Sequence, residues 1–205
     1  RRLLLYNEPM RLIAIFGFSM LSCLLHAQTW QTVWADEFVP GAIDGTKWGF
    51  ETGAGGWGNN ELQRYTTRWE NARIETNEGG RLRIEARRDW FGGTEYSSAR
   101  MFNHVDWLYG KVSVRAKLPW GRGTWPAIWM LPRSQVYGTR YWPDNGEIDV
   151  MEHVGYDPNR VHGSVHTGGF NWPNGNQPTN SVVLSDVFNT YRLYELEWLP
   201  HELRV

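Results

Sequence analysis

The sequence predicts an all-β fold of two packed antiparallel sheets, and three observations predict it. The clearest segments alternate apolar and polar residues with period two. Clusters of Gly, Pro and Asn separate them. From Thr29 onward no amphipathic helical pattern stands out. The composition agrees, with 13 Trp, 9 Tyr, 8 Phe, 22 Gly and 10 Pro in 205 residues. An aromatic, turn-rich chain of many short strands suits a sandwich. The length fits one domain with a sizeable core.

The chain opens differently. Residues 12–25 form an apolar run preceded by Arg11 and followed by Leu25-His26-Ala27. The run is too short to span a bilayer as a helix. It reads as a secretory signal cleaved after Ala27, with Met10 as the start and residues 1–9 as an upstream extension. Residues 1–27 are therefore set apart from a domain at 28–205. The single cysteine, Cys23, lies in the run, so the domain has no disulfide to form. Processing at Cys23 would instead give a lipid anchor. Either route sends the protein out of the cytoplasm. A net charge of −1 implies no nucleic-acid or anionic-membrane partner.

Residues 81–87, 111–118 and 194–198 each alternate as one strand. Their polar faces balance acid against base, as a solvated sheet face does. Turn clusters fall at 53–60, 77–80, 119–123 and 168–178. The last, rich in Gly, Asn and Pro, reads as a surface loop near a cleft.

The segment 146–155 carries most of the chemical information. Glu147, Asp149 and Glu152 lie within six residues of an otherwise apolar strand pattern. Charged residues are rarely buried unless paired or functional, and clustered carboxylates push their pKa values apart. In a regular strand Glu147 and Asp149 share a face and Glu152 points away. One extra residue, a β-bulge near Val150-Met151, returns Glu152 to that face. The two glutamates then stand roughly 13 Å apart along the backbone, a gap that long side chains can narrow. Paired carboxylates about 5–5.5 Å apart define a retaining glycosidase, and about 6.5–9.5 Å an inverting one. Taken alone, the pattern equally suits a half-exposed strand with an acidic face.

Glu147-Ile148-Asp149-Val150-Met151-Glu152 resembles the signature of glycoside hydrolase family 16, in the bulged form of its laminarinase-like members. Further blocks resemble that family in order: Trp34 to Phe38 as an opening strand, Gly56 to Tyr65 as a cleft loop, Tyr96 to Arg100 and Tyr109 to Pro119 as strands, Gly121 to Pro132, and Val161 to His166. The resemblance covers residues 30–205. It implies a jelly-roll sandwich of the concanavalin (lectin-like) type, with C-terminal strands missing beyond Val205 and lower stability for the truncated domain.

The resemblance also implies roles. Glu147 would be the nucleophile, Glu152 the general acid/base, and Asp149 a neighbour that tunes both. Trp125 and Trp129, spaced to share a strand face, would line sugar subsites; core packing against the second sheet is the lesser alternative. Asn59 and Arg100 would recognise sugar hydroxyls; loop capping and surface charge are their ordinary roles. His166 would hydrogen-bond near the acidic strand; His162, apart from the resemblance, reads as a structural or surface residue. No metal site is expected from His153, His162 and His166, which lack a recognised ligand spacing. A structural calcium, with Glu37 and a carbonyl near Gly80 as ligands, is implied away from catalysis, which needs no cofactor. The implied activity is secreted, monomeric endo-β-1,3-glucan hydrolysis. Agarase- or carrageenase-like hydrolysis, a non-catalytic glucan-binding module and transglycosylation are the alternatives.

Overall fold

The computed structural model describes residues 30–205. The apolar run, Cys23 and the cleavage site after Ala27 lie outside the described residues. The fold is all-β, as the alternation predicts. Its strands are β1 (Trp48–Glu51), β2 (Gln63–Tyr65), β3 (Ala72–Glu75), β4 (Arg81–Ile84), β5 (Arg87–Phe91), β6 (Thr94–Ser98), β7 (Arg100–Asn103), β8 (Gly110–Ala116), β9 (Ala127–Met130), β10 (Glu147–His153), β11 (Arg160–His166), β12 (Thr179–Val183), β13 (Arg192–Leu199) and β14 (Glu202–Arg204). Two single 3₁₀ turns, at Asn77–Gly79 and Trp172–Asn174, are the helical elements among the described residues.

Two sheets make the sandwich that positions the site. One runs β12-β11-β10-β9 and the other β14-β13-β8, all antiparallel. β10 packs against β13 across the gap. Val150, Met151 and Val161 from the first sheet meet Tyr194 and Leu196 from the second, with Leu118 and Val187 between. β8 alternates in burial along its whole length, as residues 111–118 predict. β1 pairs with β7, β3 with β4, and β6 with both β5 and β2.

Three details differ from the sequence reading. First, β2 and β6 run parallel, within a fold expected to be wholly antiparallel. Second, residues 81–87 are two strands, since β4 pairs with β3 and β5 with β6. The switch is held by fully buried Asn71. Its carbonyl accepts the Glu85 amide at 2.8 Å, and its side-chain amide donates to the Glu85 carbonyl at 3.1 Å and to Ser97 Oγ at 2.9 Å. Third, residues 34–38 form no strand. Asp36 accepts the Phe38 amide at 3.0 Å and the Trp48 indole at 2.8 Å. Phe38 then adopts φ +49°, which an extended strand does not allow.

The balanced strand faces expected from sequence form an ionic lattice on β3 to β5. Glu75 meets Arg73, Arg81 and Arg83, and Glu85 meets Arg73, Arg83 and Arg87. These arginines hold both carboxyls below the usual range against the opposing cost of burial.

Candidate active site

The acidic strand is bulged where the sequence places the bulge. Across β10 and β11, Glu147 faces His166, Asp149 faces Ser164 and Glu152 faces His162. Five steps on β10 therefore match four on β11, and the register shift lies between Asp149 and Glu152. The β9 side shows the same shift, with Trp129 opposite Asp149 and Ala127 opposite Glu152. Because β11 is regular, partners separated by two and four residues point the same way. Glu147, Asp149 and Glu152 thus share one face.

The extra residue is tolerated because both bulge side chains are apolar. Val150 and Met151 are 2% and 1% exposed and both enter the core. Each such burial is worth roughly 1.5–3 kcal/mol, more than one disrupted ladder bond costs. His153 lies on the core face too, edge-on to Phe188 with centroids 5.2 Å apart. It faces away from His162 and His166, and burial holds it neutral by lowering its pKa.

Asp149 is the most deeply set of the three carboxyls, 2% exposed. Burial, then the charges of Glu147 and Glu152, push it up to about 9. A hydrogen bond to Glu147 acts in the same direction, so Asp149 carries a proton at neutral pH. His166 Nε2 stands 3.2 Å from Asp149 Oδ2. His166 Nδ1 accepts the Trp172 amide at 3.3 Å, which leaves the ring proton on Nε2, toward Asp149. Burial lowers the His166 pKa against the pull of Glu147. Burial raises Glu152 above the usual carboxylate range; Glu147 adds to this, while Trp125 and His162 oppose it.

Two indoles reach the glutamates. Trp125 Nε1 donates to Glu152 Oε1 at 2.9 Å, and Trp142 Nε1 donates to Glu147 Oε2. Trp125 lies two residues before β9, outside the strand, but its indole reaches the same acidic face as Trp129. It is half-exposed beside Glu152 rather than packed in the core. Trp129 does lie on the acidic face. Arg100, on β7, places its guanidinium 4.5 Å from the Trp129 ring centroid and 4.8 Å from that of Trp57, and pairs with Glu51. Asn59 is exposed in the cleft loop and donates to Glu61 at 3.5 Å.

Sequence reasoning missed Trp142, Trp57 and Glu51, and undervalued His162, which lies directly opposite Glu152. The available signal for Trp142 was its position five residues before Glu147, inside a turn of Pro, Asp, Asn and Gly. Glu37 and Gly80, the implied calcium ligands, belong to segments that meet: a Cβ on Gly80 would collide with the Phe38 carbonyl oxygen. Among the described residues no three His, Cys, Asp or Glu side chains gather as a metal cluster. Carbonyl oxygens would have to supply most of a calcium shell there.

Comparisons with known proteins show the family and the fold. Residues 61–205 match Glycosyl hydrolases family 16. The chain is 50% identical over 182 residues to a beta-glucanase of Rhodothermus marinus, a match covering 87% of the chain and 63% of that protein. It therefore spans under two thirds of that relative's length. It is 38% identical over 196 residues to a glucan endo-1,3-beta-glucosidase of Cryptopygus antarcticus, covering 92% of the chain and 70% of the relative. The X-ray structure of the laminarinase from Rhodothermus marinus superposes with a TM-score of 0.82 at 50% identity, over 86% of this chain and 70% of that one. The matched region takes in the end of the cleft loop, the bulged strand and both sandwich sheets, and the chain belongs to glycosyl hydrolases family 16.

Proposed function

We propose that the protein is a retaining endo-β-1,3-glucanase. The observation that carries the reading is the bulged strand, which sets Glu147, Asp149 and Glu152 on one face. The chemistry follows from their environments. Glu152, raised by burial, holds a proton and gives it to the glycosidic oxygen as the C–O bond breaks. The Glu147 carboxylate attacks the anomeric carbon and forms a glycosyl ester. Esterification removes the Glu147 charge, so the Glu152 pKa falls. Glu152 then takes a proton from the water that attacks the same carbon, and Glu147 leaves as carboxylate. Protonated Asp149 donates a hydrogen bond to Glu147 throughout. Two inversions at one carbon give net retention.

The β-1,3-glucan assignment draws on the relatives named above. Trp129 and Arg100, beside the acidic row, are suited to a pyranose face and to hydroxyls. A glucan-binding module without catalysis would have no use for three convergent carboxyls, two with raised pKa values. Among the described residues no helix is long and apolar enough to cross a membrane. Export by the signal-like residues 1–27, a monomeric state and a structural calcium at Glu37 and Gly80 complete the reading.

Product analysis on laminarin, lichenan and agarose tests it, with Glu147→Gln as control. The expected result is oligosaccharide release from laminarin that vanishes in the variant while glucan affinity persists. Release from agarose alone would move the substrate to a galactan. No release from any of the three by folded protein would reject hydrolysis of these polymers.

A further inference from the structure

Each catalytic glutamate meets one indole N–H, and the two indoles are held by separate devices. Trp142 sits in a loop braced by two side chains. Asn145 Oδ1 accepts the amides of Val136 and Tyr137 at 2.6 and 2.7 Å, and its Nδ2 donates to the carbonyls of Tyr137, Arg140 and Tyr141. Asp144 Oδ2 accepts the amides of Thr139 and Arg140, both at 3.1 Å. The indole then packs tilted against His166, with centroids 5.7 Å apart. Trp125 is pinned through its chain neighbours. The Gly155 amide donates to the Thr124 carbonyl at 2.9 Å and the His153 amide to the Pro126 carbonyl at 3.2 Å, fixing both flanks to the end of β10.

An indole N–H only donates. The oxygen it faces must accept, and in a carboxylic acid that is the oxygen without the proton. We infer that Trp142 and Trp125 are positioning residues that assign the two glutamates their reactive oxygens. Trp142 holds Glu147 through Oε2 as a proton-free acceptor, orienting it for attack. Trp125 occupies Oε1 of Glu152, so the proton destined for the leaving oxygen rides on Oε2. The pairing rests on the glycosidase reading of this site. It goes further by giving the two tryptophans separable effects on nucleophile and acid, beyond offering a ring to sugar.

Phenylalanine keeps a ring and removes the N–H, so Trp125→Phe and Trp142→Phe isolate the donors. The substrates are laminarin and a dinitrophenyl β-laminaribioside, whose leaving group departs without protonation. Loss of one donor to a charged or reacting carboxyl predicts about a tenfold to hundredfold loss of kcat/KM. For Trp125→Phe that loss appears on laminarin and largely disappears on the aryl substrate. For Trp142→Phe it is equal on both. Equal losses for Trp125→Phe on both substrates, or a laminarin-only loss for Trp142→Phe, would overturn the assignment.

A second measurement does not depend on turnover. In ¹⁵N-tryptophan-labelled protein, Glu147→Ala moves the indole resonance of Trp142 and leaves that of Trp125, while Glu152→Ala does the reverse. Indole resonances unmoved by either change would reject the pairing. If wild type cleaves neither substrate while the resonances respond as stated, the glucanase reading fails and the pairing stands.

Discussion

Asp149→Asn separates the buried proton from everything else in the site. Asp149 is 2% exposed and pushed up to about 9 from an unfolded value of 3.8. Below pH 3.8 it is protonated in both states and contributes no pH dependence. Above that, the unfolded chain loses the proton and the folded chain keeps it. Stability therefore falls as pH rises, until the folded group itself ionises near 9. Each pH unit is worth about 1.4 kcal/mol. Between pH 5 and 8 the wild type should lose up to about 4 kcal/mol that the variant keeps. Asparagine is nearly isosteric and still donates to Glu147, so the comparison isolates the titration. Urea unfolding midpoints of both proteins at pH 5, 6.5 and 8 provide the assay. The variant should gain steadily on wild type as pH rises. A stability difference independent of pH would mean that Asp149 is ionised in the folded state, and the account of the site would be wrong.

Four further outcomes follow. Glu152 must be protonated to act, and its pKa is raised, so activity is present on the acid side and lost as pH rises through that pKa; His162→Ala removes a neighbour that opposes this rise and should move the alkaline limb of kcat/KM upward. Arg100→Leu breaks the pair with Glu51 and the stack between Trp57 and Trp129; laminarin KM should rise about tenfold with kcat little changed. Gly155→Ala drives a methyl group into the Gly121 carbonyl and Thr124 Oγ1; the loop must shift, and kcat should fall with Trp125 displaced, by about tenfold. Calcium added at 100 times its dissociation constant should stabilise EDTA-treated protein by about 2.7 kcal/mol, visible as a Tm rise of a few degrees; an unchanged Tm would remove Glu37 and Gly80 from consideration as ligands.

The acidic strand was legible because its signal is local. A five-residue spacing with two apolar residues between Asp149 and Glu152 admits a bulge, and the core accepts both side chains. β8 and β13 were legible for the same reason, since alternation reports which face is wet. What escaped the sequence depends on distant partners. Residues 81–87 alternate without interruption, yet Asn71 divides them between two sheets. Trp34 to Phe38 reads as extended, but Asp36 turns it toward Trp48. The parallel pairing of β2 with β6 leaves no trace in either strand. Trp142 carried only a positional signal for a related reason: no local rule says that a braced loop will turn an indole back onto a glutamate five residues later. His162 looked structural until the register placed it opposite Glu152.

The central claim is that Glu147 and Glu152 act from one face of the bulged strand in a double displacement. The most direct test is ¹H NMR of the anomeric protons during the first minutes of laminari-oligosaccharide hydrolysis. The account predicts that the β-anomer appears first and mutarotates to the α-anomer later. Initial release of the α-anomer would mean a single displacement by water and would contradict it.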